Sequence, residues 1–154
     1  VELTSVAVPR TYRLRSEVLG WASPAIRIDA EAEHSALTDG EAVVAAVSHM
    51  SWPCPDEPGI PARYFWAMAV DTAYQRRGLG RRLLAAVADR ARARDEQVMW
   101  ADARESAVAF YLACGARVAG EPYVDDGTGL LVRHVVFTEI SPACLSAGGS
   151  EATG

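Results

Sequence analysis

The chain contains no lysine: all 15 basic side chains among its 154 residues are arginine. That absence excludes the Walker-type nucleotide loop, which closes on a Gly-Lys-Ser/Thr run whose lysine reaches the phosphates. Cysteine is scarce. The three present, Cys54, Cys114 and Cys144, are an odd number that builds no complete disulfide set, and their spacing fits no metal motif. A reducing, cytoplasmic setting and no bound metal are therefore expected. No uninterrupted apolar stretch reaches the roughly 18 residues of a membrane span, and no arginine-led apolar run opens the chain as a signal peptide would. No membrane partner is expected. The formal net charge of −5 also lacks the positive excess that nucleic-acid binding uses, so no nucleic-acid partner is expected.

What is present is ordinary for a globular chain: half the residues are apolar and 23% are charged. The length fits one domain, expected over residues 1–140, with a flexible tail from 141 to 154 rich in Ser, Ala, Gly and Glu. Val1 to Val8 reads as a first edge strand. Thr11 to Leu19 reads as a helix that sets Leu14 and Val18 on one face, with Arg13, Arg15 and Glu17 elsewhere, and Gly20 and Pro24 end it. Ile26 to Glu33 alternates apolar and charged residues, which suits a strand or an extended lead-in. Asp39-Gly40 marks a hairpin turn whose second arm is Ala42 to Met50. Ser51 to Pro61 holds four prolines and a glycine, so it forms a loop, with Trp52 either shaping a pocket or tucked into the core.

Tyr64 to Val70 is a continuous apolar run that suits a central strand covered on both faces. Leu79, Leu83, Val87 and Ala91 then recur at helical spacing to about Ala93. Gln97 to Ala101 is the next strand, parallel to the central one, as a helical crossover requires. A short helix follows from Ala107 to Cys114, with Ser106 as its cap and Gly115 at its end. Arg117 to Tyr123 and Leu130 to Ile140 are the last strands. The second of these is a candidate edge for pairing across a homodimer, the alternative being a monomer.

The turn between the central strand and its helix concentrates charge. From Asp71 to Arg94 there are seven arginines and two aspartates. Gly78 and Gly80 let the backbone approach an anion closely, at the positive end of a helix dipole. A dinucleotide-binding unit would need a third glycine, an early place in the fold and an acidic residue at the next strand end; the loop here is central and what precedes it reads as antiparallel, so that unit fits badly.

Gln75-Arg76-Arg77-Gly78-Leu79-Gly80 resembles the Gln/Arg-x-x-Gly-x-Gly/Ala signature of the GNAT superfamily of N-acetyltransferases. Ala107 to Ala116, read as Ala-Val-Ala-Phe-Tyr-Leu-Ala-Cys-Gly-Ala, is similar to its Ala-x-x-Phe-Tyr-x-x-x-Gly-Phe segment. The resemblance covers about residues 10 to 138. It implies a mixed α/β fold of the acyl-CoA N-acyltransferase type. The central sheet would be mostly antiparallel, splayed at the cofactor site, with helices on both faces. It implies acetyl-CoA as cofactor, inserted beside the central strand. The pantetheine would pair with backbone groups of Met68, Ala69 and Val70. The diphosphate would rest on Gln75, Arg76, Arg77, Gly78, Leu79, Gly80 and Arg81. Arg104 stands with Ala103 where the family often has an asparagine contacting the cofactor.

Acetyl transfer needs a neutral amine, a donor to the developing oxyanion and a proton for the departing thiolate. The resemblance makes Tyr111 the candidate acid and the cofactor's neighbour, and the Val70 N–H the candidate oxyanion donor. The acceptor would be a small-molecule or peptide amine. For the general base the candidates are Glu41, His49, Glu57, Asp102 and His134. Asp125 and Asp126 either receive a cationic amine or form a solvated hairpin tip. A non-catalytic acyl-CoA-binding or sensory module on the same scaffold is the alternative.

Overall fold

A computed structural model describes residues 1–141. Its strands are β1 (Glu2–Ser5), β2 (Glu33–Asp39), β3 (Ala42–Ser51), β4 (Ala62–Val70), β5 (Val98–Arg104), β6 (Arg117–Val124) and β7 (Leu131–Phe137). The α-helices are α1 (Tyr12–Glu17), α2 (Leu79–Ala93) and α3 (Glu105–Ala113). The strands form one sheet in the order β1-β2-β3-β4-β5-β7-β6. Neighbours are antiparallel except β4 and β5, which run parallel. That exception follows from chain order, since α2 carries the chain back across the sheet between them.

Helix α2 forms because Leu79, Leu83, Leu84, Val87, Ala88 and Ala91 make one buried stripe. With α3 it covers one face of the sheet, where Phe65, Val70, Met99, Tyr111 and Phe137 join the main core. The opposite face carries two smaller cores. One gathers Leu14 of α1 with Ala36, Val43, Ala46 and Ala69. The other gathers Cys54 of the proline-rich loop with Ala62, Val98, Trp100 and Val136. The fold is thus the mixed sheet with helices on both faces that the motifs imply. Among the described residues no helix is long and apolar enough to cross a membrane.

Several local expectations are corrected. Ile26 to Glu33 is not a strand; residues Arg27–Glu31 make a 3₁₀ turn before β2. The Asp29 carboxylate fixes that turn by accepting the Ile26 N–H at 3.0 Å and both Arg15 nitrogens at 2.6 and 2.9 Å. The first helix is shorter than Thr11 to Leu19, and a 3₁₀ turn over Val8–Thr11, opened by Pro9, precedes it. α3 starts at Glu105, so Ser106 lies inside its first turn and Arg104 takes the cap position. Gly115, at φ 104°, follows this helix in the left-handed region as expected. The strand drawn from Leu130 to Ile140 is no free edge: β7 pairs with β5 on one side and β6 on the other. Trp52 does not enter the core; its side chain is exposed, and its carbonyl accepts the Trp100 indole N–H at 3.1 Å. Of the expected tail, residues 142–154 lie outside the described residues.

Arg15, which periodicity sets away from the helix's apolar face, is only 1% exposed. Its guanidinium donates to Asp29, to the Ser48 hydroxyl and to the Pro24 carbonyl, and Asp29 also accepts the Trp66 indole N–H. Burial disfavours the ionised Asp29, but the Arg15 hydrogen bonds, the Ile26 N–H and the Trp66 indole outweigh it, and the carboxyl is held below its ordinary value. Breaking one partner of such a pair leaves a buried charge uncompensated, at a cost of about 3–5 kcal/mol. Asp29→Asn is therefore expected to lower the urea unfolding free energy by that order, with the loss vanishing in the Arg15→Met/Asp29→Asn double variant. A change under about 1 kcal/mol in the single variant would contradict this role.

Candidate functional site

The central parallel pair is short. β4 and β5 are in register only at Ala62–Val98, Arg63–Met99 and Tyr64–Trp100. Past Tyr64 the two strands part, although β4 stays paired to β3 as far as Val70 and β5 stays paired to β7 as far as Arg104. The parting coincides with a bulge. Between Ala46 and Ser48 of β3, two steps oppose three on β4, from Ala69 to Trp66, and Ala67 sits at φ 55°. A left-handed alanine costs about 1–2 kcal/mol, and the extra residue turns β4 away from β5. The Asp71 N–H donates to the Val44 carbonyl at 2.8 Å. By strand alternation the N–H and C=O of Val70 therefore face the opposite edge, toward the gap. The Val70 carbonyl there accepts the Gln75 side-chain amide at 3.1 Å.

At the end of β4 the chain makes a 3₁₀ turn over Thr72–Tyr74, capped by the Asp71 carboxylate accepting the Ala73 N–H. Arg76 then lies at φ 66° and Gly78 at φ 74°, so the backbone curls before α2. Gly78 is the N-cap of α2 and offers no side chain to it, and the first helical bond runs from the Arg82 N–H to the Gly78 carbonyl. The N–H groups of Leu79, Gly80 and Arg81 thus precede the helical ladder at the positive end of a 15-residue helix. Arg76 and Arg77 are exposed, and the Arg77 guanidinium lies 4.9 Å over the Tyr74 ring. Arg81 turns inward instead, close enough to Cys114 to act on its thiol.

The gap itself is a cavity of about 320 Å³. Its walls are residues 64–68 of β4, residues 101–104 of β5, Ala107 and Tyr111 of α3, the segment after α1 including Trp21 and Ile26, and the β6–β7 turn including Asp125. Tyr111, 7% exposed, stands edge-on to Phe65 with centroids 5.7 Å apart, and its hydroxyl lies 3.8 Å from the Met68 sulfur. Burial foremost, with Cys114 adding to it and Arg104 opposing, pushes the Tyr111 phenol well above its ordinary value. It stays protonated and remains a donor.

Strand alternation makes the cavity two-sided. Phe65, Ala101, Ala103 and Tyr111 belong to the α2–α3 core. Tyr64, Trp66 and Asp102 alternate with them and take the other face. There the Tyr64 and Trp66 rings stack at 5.2 Å, and the Tyr64 hydroxyl donates to Asp102 Oδ2 at 2.8 Å. The Tyr123 hydroxyl donates to Asp102 Oδ1, and His134 lies between Asp102 and Asp56. Burial, followed by the Asp102 carboxylate, raises Tyr64 above the ordinary phenol value; burial and the same carboxylate raise Tyr123.

The candidates read from the sequence fall into two groups. Met68, Ala69 and Val70 end β4, Met68 also lining the cavity; Gln75 to Gly78 form the adjoining loop and Leu79 to Arg81 open α2, outside that lining. Tyr111 and Arg104 line the cavity, and Arg104 also donates to the Leu19 carbonyl at 3.1 Å. Of the base candidates, Asp102 lines the cavity and His134 touches it from behind. Glu57 is paired with Arg117, and Glu41 is exposed on the β2–β3 turn, its carbonyl accepting from Arg10. His49 is buried against Arg63 and Ser35. Asp125 lines the cavity and also ties its turn together by accepting from Thr128. Sequence reasoning missed Asp56, Tyr64, Trp66 and Tyr123. Tyr64 and Trp66 were legible only as strand, and nothing in the sequence joins Asp56 to His134 across 78 positions.

The model of the acetyltransferase (GNAT) family matches residues 2–116. Among solved structures, an aminoglycoside 6′-N-acetyltransferase complexed with coenzyme A is 14% identical, with TM-score 0.69 over 92% of this chain and 98% of that one. FeeM, an N-acyl amino acid synthase from uncultured soil microbes, is also 14% identical, with TM-score 0.69 over 88% and 94%. An N-acetyltransferase from Staphylococcus aureus Mu50 is 13% identical, with TM-score 0.67 over 91% and 98%. At these identities the likeness is one of fold. A comparison with curated proteins finds no match.

His49 shows why a buried histidine is not automatically a base. Burial first, and the Arg63 guanidinium second, push it down to about 4. Its folded value lies below its unfolded one of 6.5, so the native state excludes a proton that the unfolded chain accepts. The stability this contributes is present above about pH 6.5 and is lost as pH falls toward 4. Urea midpoints are expected to decline across that interval in the wild type and less so in His49→Asn. Identical profiles would contradict the assignment.

Proposed function

Because the chain belongs to the acetyltransferase (GNAT) family, we propose that it is an acetyl-CoA-dependent N-acetyltransferase. It acts on a primary amine by direct attack within a ternary complex. The observation that carries this is the parting of β4 and β5 after Tyr64–Trp100, flanked by the left-handed loop that opens α2. An extended pantetheine-like chain fits the free edge of β4 at Met68 and Val70. The diphosphate fits the uncapped start of α2 between Gln75 and Arg81, where backbone N–H groups and helix dipole favour an anion. The thioester supplies a carbonyl already activated toward amines.

The residues divide the remaining work. The Val70 N–H, turned to the gap, is the donor for charge that develops on the carbonyl oxygen. Tyr111, held protonated by burial, gives its proton to the departing sulfur. The two-sided cavity supports direct attack: one substrate enters along the α2–α3 face and the amine from the Tyr64–Trp66 face, so no enzyme-bound acyl group is required. Holding both reactants in one enclosed space itself lowers the barrier.

Tyr111 also separates this reading from a non-catalytic acyl-CoA-binding module, which would have no use for a phenol aimed at Met68. A panel of primary amines incubated with acetyl-CoA, with thiol release followed, should reveal at least one acceptor. With that acceptor, Tyr111→Phe is expected to lower kcat by about 10²-fold or more while the Kd for coenzyme A changes less than about threefold. Unchanged kcat would remove Tyr111 from the chemistry. Coenzyme A binding without turnover on any amine would favour the binding module.

A further inference from the structure

Resting on that reading, we propose that Asp102, His134 and Asp56 form a built proton route from the cavity to the protein surface. Through it, an acceptor that arrives as an ammonium ion becomes the neutral nucleophile. Asp102 touches the amine side of the cavity and is the catalytic member, whereas His134 acts through it and Asp56 positions the ring.

The geometry carries the proposal. Asp102 and His134 are cross-strand partners in the β5–β7 ladder. His134 Nε2 lies 3.2 Å from Asp102 Oδ1 and 3.0 Å from the Tyr123 hydroxyl. On the ring's other side, Nδ1 lies 2.6 Å from Asp56 Oδ2. The imidazole is held edge-on to Trp100 at 5.2 Å and to Tyr123 at 5.4 Å, so it has little freedom to rotate away. The side chains of Asp56, His134 and Asp102 are 22%, 18% and 19% exposed, so the chain of groups is shielded but reaches water.

The tautomer follows from the partners. Both ring nitrogens face carboxylates, so the closer contact decides: the neutral imidazole carries its hydrogen on Nδ1, 2.6 Å from Asp56 Oδ2, rather than on Nε2, 3.2 Å from Asp102 Oδ1. That leaves the Nε2 lone pair facing Asp102 and Tyr123. When Nε2 takes a proton it finds an acceptor already in place at Asp102 Oδ1, and Asp56 stabilises the cation. The surroundings agree. Tyr64 from β4 and Tyr123 from β6 donate to Asp102, Asp56 from the β3–β4 loop meets His134, and Asp125 from the β6–β7 turn acts on both phenols. Three of these groups besides His134 are carboxylates once Asp102 is counted, and burial keeps the two phenols neutral.

The balance closes. The ammonium passes one proton through Asp102 to His134 Nε2 and becomes an amine. The C–N bond then forms and the C–S bond breaks. Sulfur takes its proton from Tyr111, and the second proton lost by nitrogen restores the Tyr111 phenol. The first leaves for solvent by way of Asp56, whose side chain is 22% exposed. Arg27 and Arg104 also line the cavity, but Arg104 is engaged with the Leu19 carbonyl. No guanidinium stands between Asp102 and His134.

The test has two arms. Histidine side-chain ¹⁵N–¹H spectra of the wild type read the tautomer with no substrate present. Nδ1–H on neutral His134 is expected, shifting toward a mixture in Asp56→Asn; an Nε2–H form in the wild type overturns the proposal. The second arm uses 2-phenylethylamine and acetyl-CoA and follows kcat/KM against pH. Wild-type activity should rise through one inflexion; Asp56→Asn should move that inflexion to lower pH, and His134→Gln should abolish it with about 10²-fold loss and little change in KM for acetyl-CoA. The same pH profile in all three proteins overturns the route. Failure of the wild type to acetylate any amine removes the reading of the preceding subsection but leaves the tautomer result standing on its own.

Discussion

The fold depends on one interrupted ladder. β4 and β5 share three register pairs and then separate, with Ala67 held at a positive φ where the separation begins. An interior strand edge without a ladder partner exposes donors and acceptors that cost about 1–3 kcal/mol each if buried unsatisfied. Here the edge borders a cavity, and Gln75 from the following loop already meets the Val70 carbonyl. The same residue therefore ties the edge of β4 to the loop that opens α2. The core tolerates the interruption because each half of the sheet has its own packing: β4 stays with β3, and β5 stays with β7.

Charge is arranged around that opening in a consistent way. The chain is acidic overall, yet the loop before α2 presents arginines and uncapped N–H groups outward, at the end where an anion would dock. The other side of the sheet carries Asp102, Asp125 and Asp56, with His134 among them. Deep within the protein, ionic groups are paired rather than poised. Arg15 holds Asp29, and Arg63 donates to Glu96 and Glu33 while lying beside His49. These networks anchor the segments that wall the cavity: the turn at residues 27–31 on one side and the start of β4 on the other.

Much of this architecture was legible in the order of residues. The stripe of Leu79, Leu83, Val87 and Ala91 can only be an amphipathic helix, and the paired glycine and Phe-Tyr motifs belong together only in one type of fold. The place of Tyr111 on α3 was legible for the same reason. What escaped was whatever depends on three-dimensional juxtaposition. Arg15 reads as a surface residue by periodicity, because nothing local announces that Asp29 will meet it. Ile26, Ile28 and Ala30 alternate like a strand, but a buried carboxylate wins over the pattern and bends the chain. β7 reads as an exposed edge because sequence order hides that β6 folds outside it. Asp56 and His134 stand in a proline-rich loop and a strand interior, and only the packing of that loop against the sheet brings them together.

The central claim is that the parted edge of β4 and the loop before α2 together receive one extended, phosphate-bearing acyl thioester. Backbone hydrogen exchange with and without acetyl-CoA reads this directly. The account predicts slowed exchange confined to Met68, Val70 and the N–H groups between Gln75 and Arg81, with the β1–β2 edge unchanged. No protection at either segment, or protection at one without the other, would contradict it.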